Sequence, residues 1–169
     1  MTTIFPGRFT AQTDRPFVVF LIGMRINRPL QFRKWFQVAS AMPAMLRELY
    51  SQPELGFLGA ESFFRLWPLE TLMVSYWDSY EKLEDYARNR SRAHLPAWVK
   101  FNQTIGTDGS VGIWHETYLV QAGQYESVYG NMPQFGLSKI FEHVPAQGRY
   151  ETARRRLGGD NQPAVATPE

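Results

Sequence analysis

An α+β fold with elements in the order strand, helix, strand, strand, helix, strand is predicted by three observations on this 169-residue chain. Two ten-residue runs, FVVFLIGMRI and VGIWHETYLV, are largely apolar on both faces and rich in β-branched and aromatic residues, as strands covered on both sides are. Between them lie two stretches whose apolar residues recur at helical spacing. In the middle, two shorter strand-like runs are separated by only a few residues, the spacing of an antiparallel hairpin.

The first strand is Phe17–Ile26. Pro29 suits the opening of a helix, and Leu30, Trp35, Val38, Met42, Met45, Leu46 and Leu49 fall near helical spacing up to Tyr50. Pro43 lacks an N–H inside that stretch and should kink or divide it. Pro53 and Gly56 end the segment. Residues 56–64 read as the second strand, Leu66, Trp67 and Pro68 as a turn, and residues 69–77 as the third strand. Asp78 or Ser79 can cap the next helix, with Glu81 and Glu84 in its electropositive first turns and Leu83, Tyr86 and Ala87 as its inward stripe. After a break over residues 89–92, HLPAWVKFNQTIG is helical again, Pro96 in its first turn and Trp98 and Phe101 facing inward. Thr107, Asp108 and Gly109 turn the chain into the fourth strand, Val111–Val120. This order is the split βαβ, ferredoxin-like arrangement, one sheet carrying two helices on one face. Around that domain, residues 17–121, the expected organisation is an N-terminal extension (1–16), an aromatic arm without clear period (122–148) and a polar, disordered tail (149–169).

Composition removes several classes of function. The net charge is only +2, and the basic residues are scattered apart from Arg154, Arg155 and Arg156, so no nucleic-acid partner is expected. With no cysteine there is no disulfide, thiolate zinc site, cysteine-ligated cluster or cysteine nucleophile. The best apolar run ends at Arg25, far short of a spanning segment, so no membrane partner is expected. The first fifteen residues lack the layout of a secretory signal, which predicts a cytoplasmic protein. Gly23 and Gly59 form no dinucleotide or phosphate loop, and there is no HExxH helix, GxSxG elbow or metal-spaced cluster of carboxylates and histidines. No metal is expected, and the remaining chemistry is what a substrate or a haem can supply.

Two helices cover one sheet face only, yet the first and fourth strands are apolar on both. A partner sheet in a homodimer is the expected cover, with the aromatic arm wrapping the partner.

The strings FLIGMRINRPL, YWDSYEKLEDYAR, HLPAWVKFN, VGIWHETYLV and YESVYGNMPQFGL, in that order, resemble a bacterial and fungal monooxygenase-like family in the antibiotic-biosynthesis-monooxygenase superfamily, over residues 17–137. The resemblance implies a dimeric α+β barrel. It also implies a choice of chemistries: cofactor-free oxygenation of acidic phenols and quinols, haem-dependent reactions, or small isomerisations and cyclisations. Fold does not choose among them.

His115 shares a strand face with Val111, Ile113, Thr117 and Leu119, where an imidazole needs a partner or serves a cavity. His94, at the opening of a helix, is a cap or a site residue; the resemblance makes it a candidate iron ligand, because haem-degrading relatives carry theirs in the corresponding region. His143, in the arm, is expected to be incidental. Arg25 and Asn27 share a face at the end of the first strand and could hold a carboxylate or enolate, or form a rim ion pair. Glu116 points away from His115. Asn102 and Tyr118 are polar groups in apolar surroundings, and Trp77, Trp98 and Trp114 are core residues or a substrate cage. The string YGNMP, residues 129–133, shapes a turn or a family-specific arm.

These residues support three expectations. The first is a monooxygenase without cofactor, acting on a small aromatic or polyketide-like substrate. His115 is its base, Arg25 or Asn102 steadies the anion, and Trp77, Trp98 and Tyr118 contact the substrate. The second is a haem protein with His94 or His115 as axial ligand. The third is a non-catalytic module binding a small apolar ligand.

Overall fold

The computed structural model describes residues 3–165. It contains the strands β1 (Phe5–Gln12), β2 (Phe17–Ile26), β3 (Phe57–Arg65), β4 (Glu70–Trp77), β5 (Val111–Val120), β6 (Tyr129–Met132) and β7 (Glu142–Pro145), and the helices α1 (Phe32–Ala39), α2 (Ala41–Ser51), α3 (Tyr80–Arg88), α4 (His94–Thr104) and α5 (Ala153–Arg156). They divide into two compact units: Val18–Tyr118, and the described residues up to Phe17 together with those from Leu119 on.

The first unit is the predicted ferredoxin-like core. Its four strands lie in the order β3-β4-β2-β5, so the first and third strands of the motif are central neighbours. β2 and β4 pair antiparallel from Val18 opposite Trp77 to Arg25 opposite Glu70. β3 and β4 form the hairpin, with one irregularity between Phe57 and Gly59. The long helical stretch divides at Ser40, which puts Pro43 in the first turn of α2, where no N–H is needed. Ser79 caps α3 by accepting from the Lys82 N–H.

Alternation assigns the two sheet faces. Val18, Met24 and Ile26 of β2, Trp77 of β4 and Val111 of β5 turn toward the helices and supply the core. That core is in two parts. One cluster joins Val18, Trp77 and Phe57 to Leu49, Leu83 and Tyr86; the other joins Met24, Ile26 and Val111 to Ile105. Leu30, expected in the inward stripe, is instead 96% exposed, because α1 starts only at Phe32 and leaves it in the preceding loop.

In the second unit β1 is the centre of a three-stranded sheet, order β6-β1-β7. Phe9 lies opposite Tyr129 on one side and Pro145 on the other. The N-terminal extension is thus a strand, and the arm is not without strands: backbone groups of residues 129–145 pair within the same chain. Order also continues past Gly148. Arg156, its side chain 6% exposed, donates from Nε to Glu126 at 2.8 Å and from Nη1 to the Tyr150 carbonyl at 2.6 Å. Arg155 pairs with Glu151 and Asp160. These bonds hold residues expected in a disordered tail; residues 166–169 of that tail lie outside the described residues. Low hydropathy there reflected guanidinium groups that are satisfied locally.

Candidate functional site

An interruption of the core marks the candidate site. Along β2, Val18 belongs to one cluster and Met24 to the other; Phe20 and Ile22, on the same face between them, are only partly buried. On β5, Val111 is buried, Ile113 partly buried and His115 exposed. The gap lies on the β2 and β5 side of the sheet, for Met73 and Ser75 of β4 are buried.

Helix α4 supplies the other wall. His94, Trp98, Phe101 and Ile105 stand at i, i+4, i+7 and i+11, one face of a helix. Phe101 and Ile105 pack onto the Met24–Val111 cluster, so the stripe faces the sheet. Eleven residues back from Ile105, His94 is ~16 Å along the helix. Four residues on from Val111, His115 is ~13 Å along the strand. Both residues thus lie beyond the Met24–Val111 cluster, His94 on the helix and His115 on the strand. Trp98, 45% exposed, stacks on Phe101 with ring centroids 5.4 Å apart, and His115 lies 5.6 Å from the Phe20 ring. The side chains offered here are apolar and aromatic, with an imidazole on each element.

The two histidines differ in how they are held. His94 Nδ1 is 2.9 Å from the Ala87 carbonyl oxygen. A carbonyl only accepts, so Nδ1 carries the hydrogen and Nε2 of the neutral ring carries the lone pair. Beneath it, Glu48 accepts from the Tyr86 hydroxyl at 3.1 Å and the Ala93 N–H at 2.9 Å, and pairs with Arg92 at 3.6 Å. Burial, then the hydrogen bond and charge of Glu48, push the Tyr86 phenol well above its usual range. The start of α4, which has no side-chain cap of its own, is fastened by this carboxylate. Sequence reasoning missed Glu48 because its partners are remote in the chain.

The other nominated residues separate. Arg25 lies on the opposite face of the sheet from His115 and pairs with Glu70 at 3.3 Å, the rim ion pair of the plainer reading. Glu70 is shared with Arg65. The Asn102 amide donates to the Trp98 carbonyl one turn back, at 3.1 Å, in an exposed position. Arg25, Asn102 and His115 are therefore not assembled as one catalytic set. Trp77, 2% exposed, is a core residue whose indole donates to Ser75, which removes it from substrate contact. Tyr118 is on the face away from the helices and donates to Glu116 at 2.5 Å, a bond that raises its pKa. Nor is His115 buried in an apolar cavity: its ring is exposed beside Phe20, because β5 is an edge strand. His143 is better defined than expected, stacked on Phe9 at 4.5 Å and edge-on to Phe5 at 4.8 Å, with burial lowering its pKa.

Comparison with known proteins agrees with this architecture. The family model described as monooxygenase af470-like matches residues 17–137, the ferredoxin-like core and the beginning of the arm. The chain belongs to the monooxygenase af470-like family. Monooxygenase af470 of Aspergillus fumigatus is 30% identical over 140 residues, 77% of this chain and 50% of that protein. Among solved structures, aldoxime dehydratase superposes with a TM-score of 0.64 at 17% identity, over 86% of this chain and 45% of that one, a likeness of fold. The cofactor-independent oxygenase SnoaB from Streptomyces nogalater is similar over 60% of this chain and 90% of its own, with a TM-score of 0.43 and 12% identity. The chain spans about half the length of af470 and of aldoxime dehydratase.

Proposed function

We propose that this member of the monooxygenase af470-like family oxygenates a small aromatic or polyketide-like substrate without a cofactor, in the gap between the two core clusters. The observation that carries the reading is the oriented imidazole of His94, whose Nδ1 is tied to the Ala87 carbonyl at 2.9 Å. A base fixed by a second group is what proton abstraction needs. Nε2 of His94 takes a proton from an acidic carbon of the substrate, and Trp98 and Phe20 flank the ring system. His115 is the second imidazole and holds the oxygen of the resulting enolate by donating to it. The carbanion reduces dioxygen, a carbon–oxygen bond forms, and the oxygen–oxygen bond then breaks. One oxygen atom stays on the carbon, the other leaves as water, and a CH2 group becomes C=O. All electrons come from the substrate. Oxygen uptake with a hydroxyanthrone, followed by the colour of the quinone product, tests the reading.

A second reading rests on the same nitrogen. A histidine whose other ring nitrogen donates to a backbone carbonyl is the usual form of a metal ligand, so His94 fits a residue that would hold haem iron. His94 would hold the iron, and haem would supply oxygen activation. The Soret region after haemin titration separates the two readings; ligand binding without turnover or haem marks a binding module.

The sheet face away from the helices is proposed to meet the same face of a second copy. Val19, Leu21, Leu72, Val74 and Tyr76 are only partly buried there, and Trp114 and Tyr118 are 43% and 51% exposed. An apolar face of that extent favours association.

A further inference from the structure

One end of the sheet carries apolar side chains that the core does not use. The loop leaving β2 and the turn joining β3 to β4 are held together by the Ile26 N–H donating to the Leu69 carbonyl at 2.9 Å. The loop is fixed further by the Trp35 indole, which donates to the Pro29 carbonyl at 3.0 Å. Between them these segments present Leu30, 96% exposed, Trp67, 84% exposed, and Leu66, 77% exposed, and Phe32 and Phe64, the first residue of α1 and the penultimate residue of β3, are exposed as well. Leaving such groups in water gains nothing for the fold.

The charge at this end is one-sided. Among the described residues, Arg25 and Arg65 pair with Glu70 and Lys34 with Asp108, and Arg28 and Arg33 add two further cations. Glu70 is shared by Arg25 and Arg65, and Asp108 is taken by Lys34. Arg28 and Arg33 are exposed, and neither has an ion pair among the described residues.

We infer that this end of the sheet docks on an anionic lipid surface, with Leu30, Leu66 and Trp67 entering the headgroup boundary and Arg28 and Arg33 pairing with lipid phosphates and carboxylates. Tryptophan and leucine flanked by arginine are the side chains of the interfacial region, where an indole is half solvated and a guanidinium meets anionic headgroups. No helix among the described residues is long and apolar enough to cross a membrane, and a peripheral contact needs none. The expectation of no membrane partner rested only on that missing span. A protein partner would also cover the apolar tips, but two unpaired arginines at the rim favour an acceptor surface of dense negative charge.

The test is flotation of the full chain with vesicles of phosphatidylcholine alone and of phosphatidylcholine with phosphatidylserine. Binding is expected with the mixed vesicles only, and it should weaken as salt is raised. The double variants Leu66→Ser/Trp67→Ser and Arg28→Glu/Arg33→Glu should each lose on the order of tenfold in partitioning, with unchanged far-ultraviolet circular dichroism. Absence of binding by the wild-type chain overturns the inference, as does binding that both variants retain. Concentration-dependent self-association that Leu66→Ser/Trp67→Ser abolishes, without vesicle binding, assigns the surface to a second copy and overturns it equally.

Discussion

The Trp114 indole occupies the space in which a side chain at Gly23 would stand. A Cβ built on Gly23 would lie 2.8 Å from Cζ2 of Trp114, inside any real carbon contact. The glycine in the middle of β2 is therefore required by a neighbouring strand and not by a turn. Gly23→Ala should cost about 1–3 kcal/mol by overpacking and shift the tryptophan emission, while Gly23→Ala in a Trp114→Ala background should cost much less. Urea melts of the four proteins measure the coupling.

Glu48 gathers the Tyr86 hydroxyl, the Ala93 N–H and Arg92. Glu48→Ala should lower stability by about 1–3 kcal/mol and loosen the start of α4, seen as faster amide exchange at Ala93. Tyr86→Phe, which removes one of these bonds, should cost about 1 kcal/mol.

Tyr86 also predicts an alkaline limb. Its folded pKa is raised above the ordinary 10.0, so the folded state keeps the phenol proton after the unfolded state has lost it. The stabilisation is complete below pH 10.0, begins to fall as the unfolded tyrosine titrates, and is spent as pH rises through the folded value. Tyr86→Phe should flatten that part of the stability curve. A wild-type slope that persists in Tyr86→Phe places the alkaline loss elsewhere.

Arg156 makes truncation after Gly148 harmful. Its bonds to Glu126 and to the Tyr150 carbonyl tie α5 to the segment before β6. Arg156→Ala should destabilise the β6-β1-β7 unit by about 1.5–3 kcal/mol, the range for hydrogen bonds to charged groups. Limited proteolysis should then cut first between residues 121 and 128.

Self-association is read from mass. Light scattering on the full chain at micromolar concentration should give twice the chain mass, and Leu21→Arg, which places a charge on the open sheet face, should give a single chain. A wild-type protein that stays monomeric contradicts the partner-sheet reading.

Most of the core was legible in advance because its signals are local: two doubly apolar strands, a hairpin spacing, a serine cap at Ser79. The register of the arm was not, since β6 and β7 are four residues each and acquire strand geometry only by pairing with β1, more than a hundred residues away. At the site, sequence reasoning named both imidazoles and Trp98 but joined His115 to Arg25, which alternation places on opposite faces of the sheet. It also had no signal for the Ala87 carbonyl, a backbone group seven residues before His94 that gives that ring its defined tautomer.

The proposal is tested most directly by oxygen uptake of the full chain with a hydroxyanthrone, comparing wild type, His94→Gln and His115→Phe. Wild type should form quinone well above the uncatalysed rate without added cofactor. His94→Gln, folded as judged by circular dichroism, should lose about 10²–10⁴-fold, as removal of a general base does. His115→Phe should melt at an unchanged temperature, having no hydrogen bond to lose among the described residues, and should show a smaller loss of turnover. No turnover above background, or equal turnover by wild type and His94→Gln, would contradict the account.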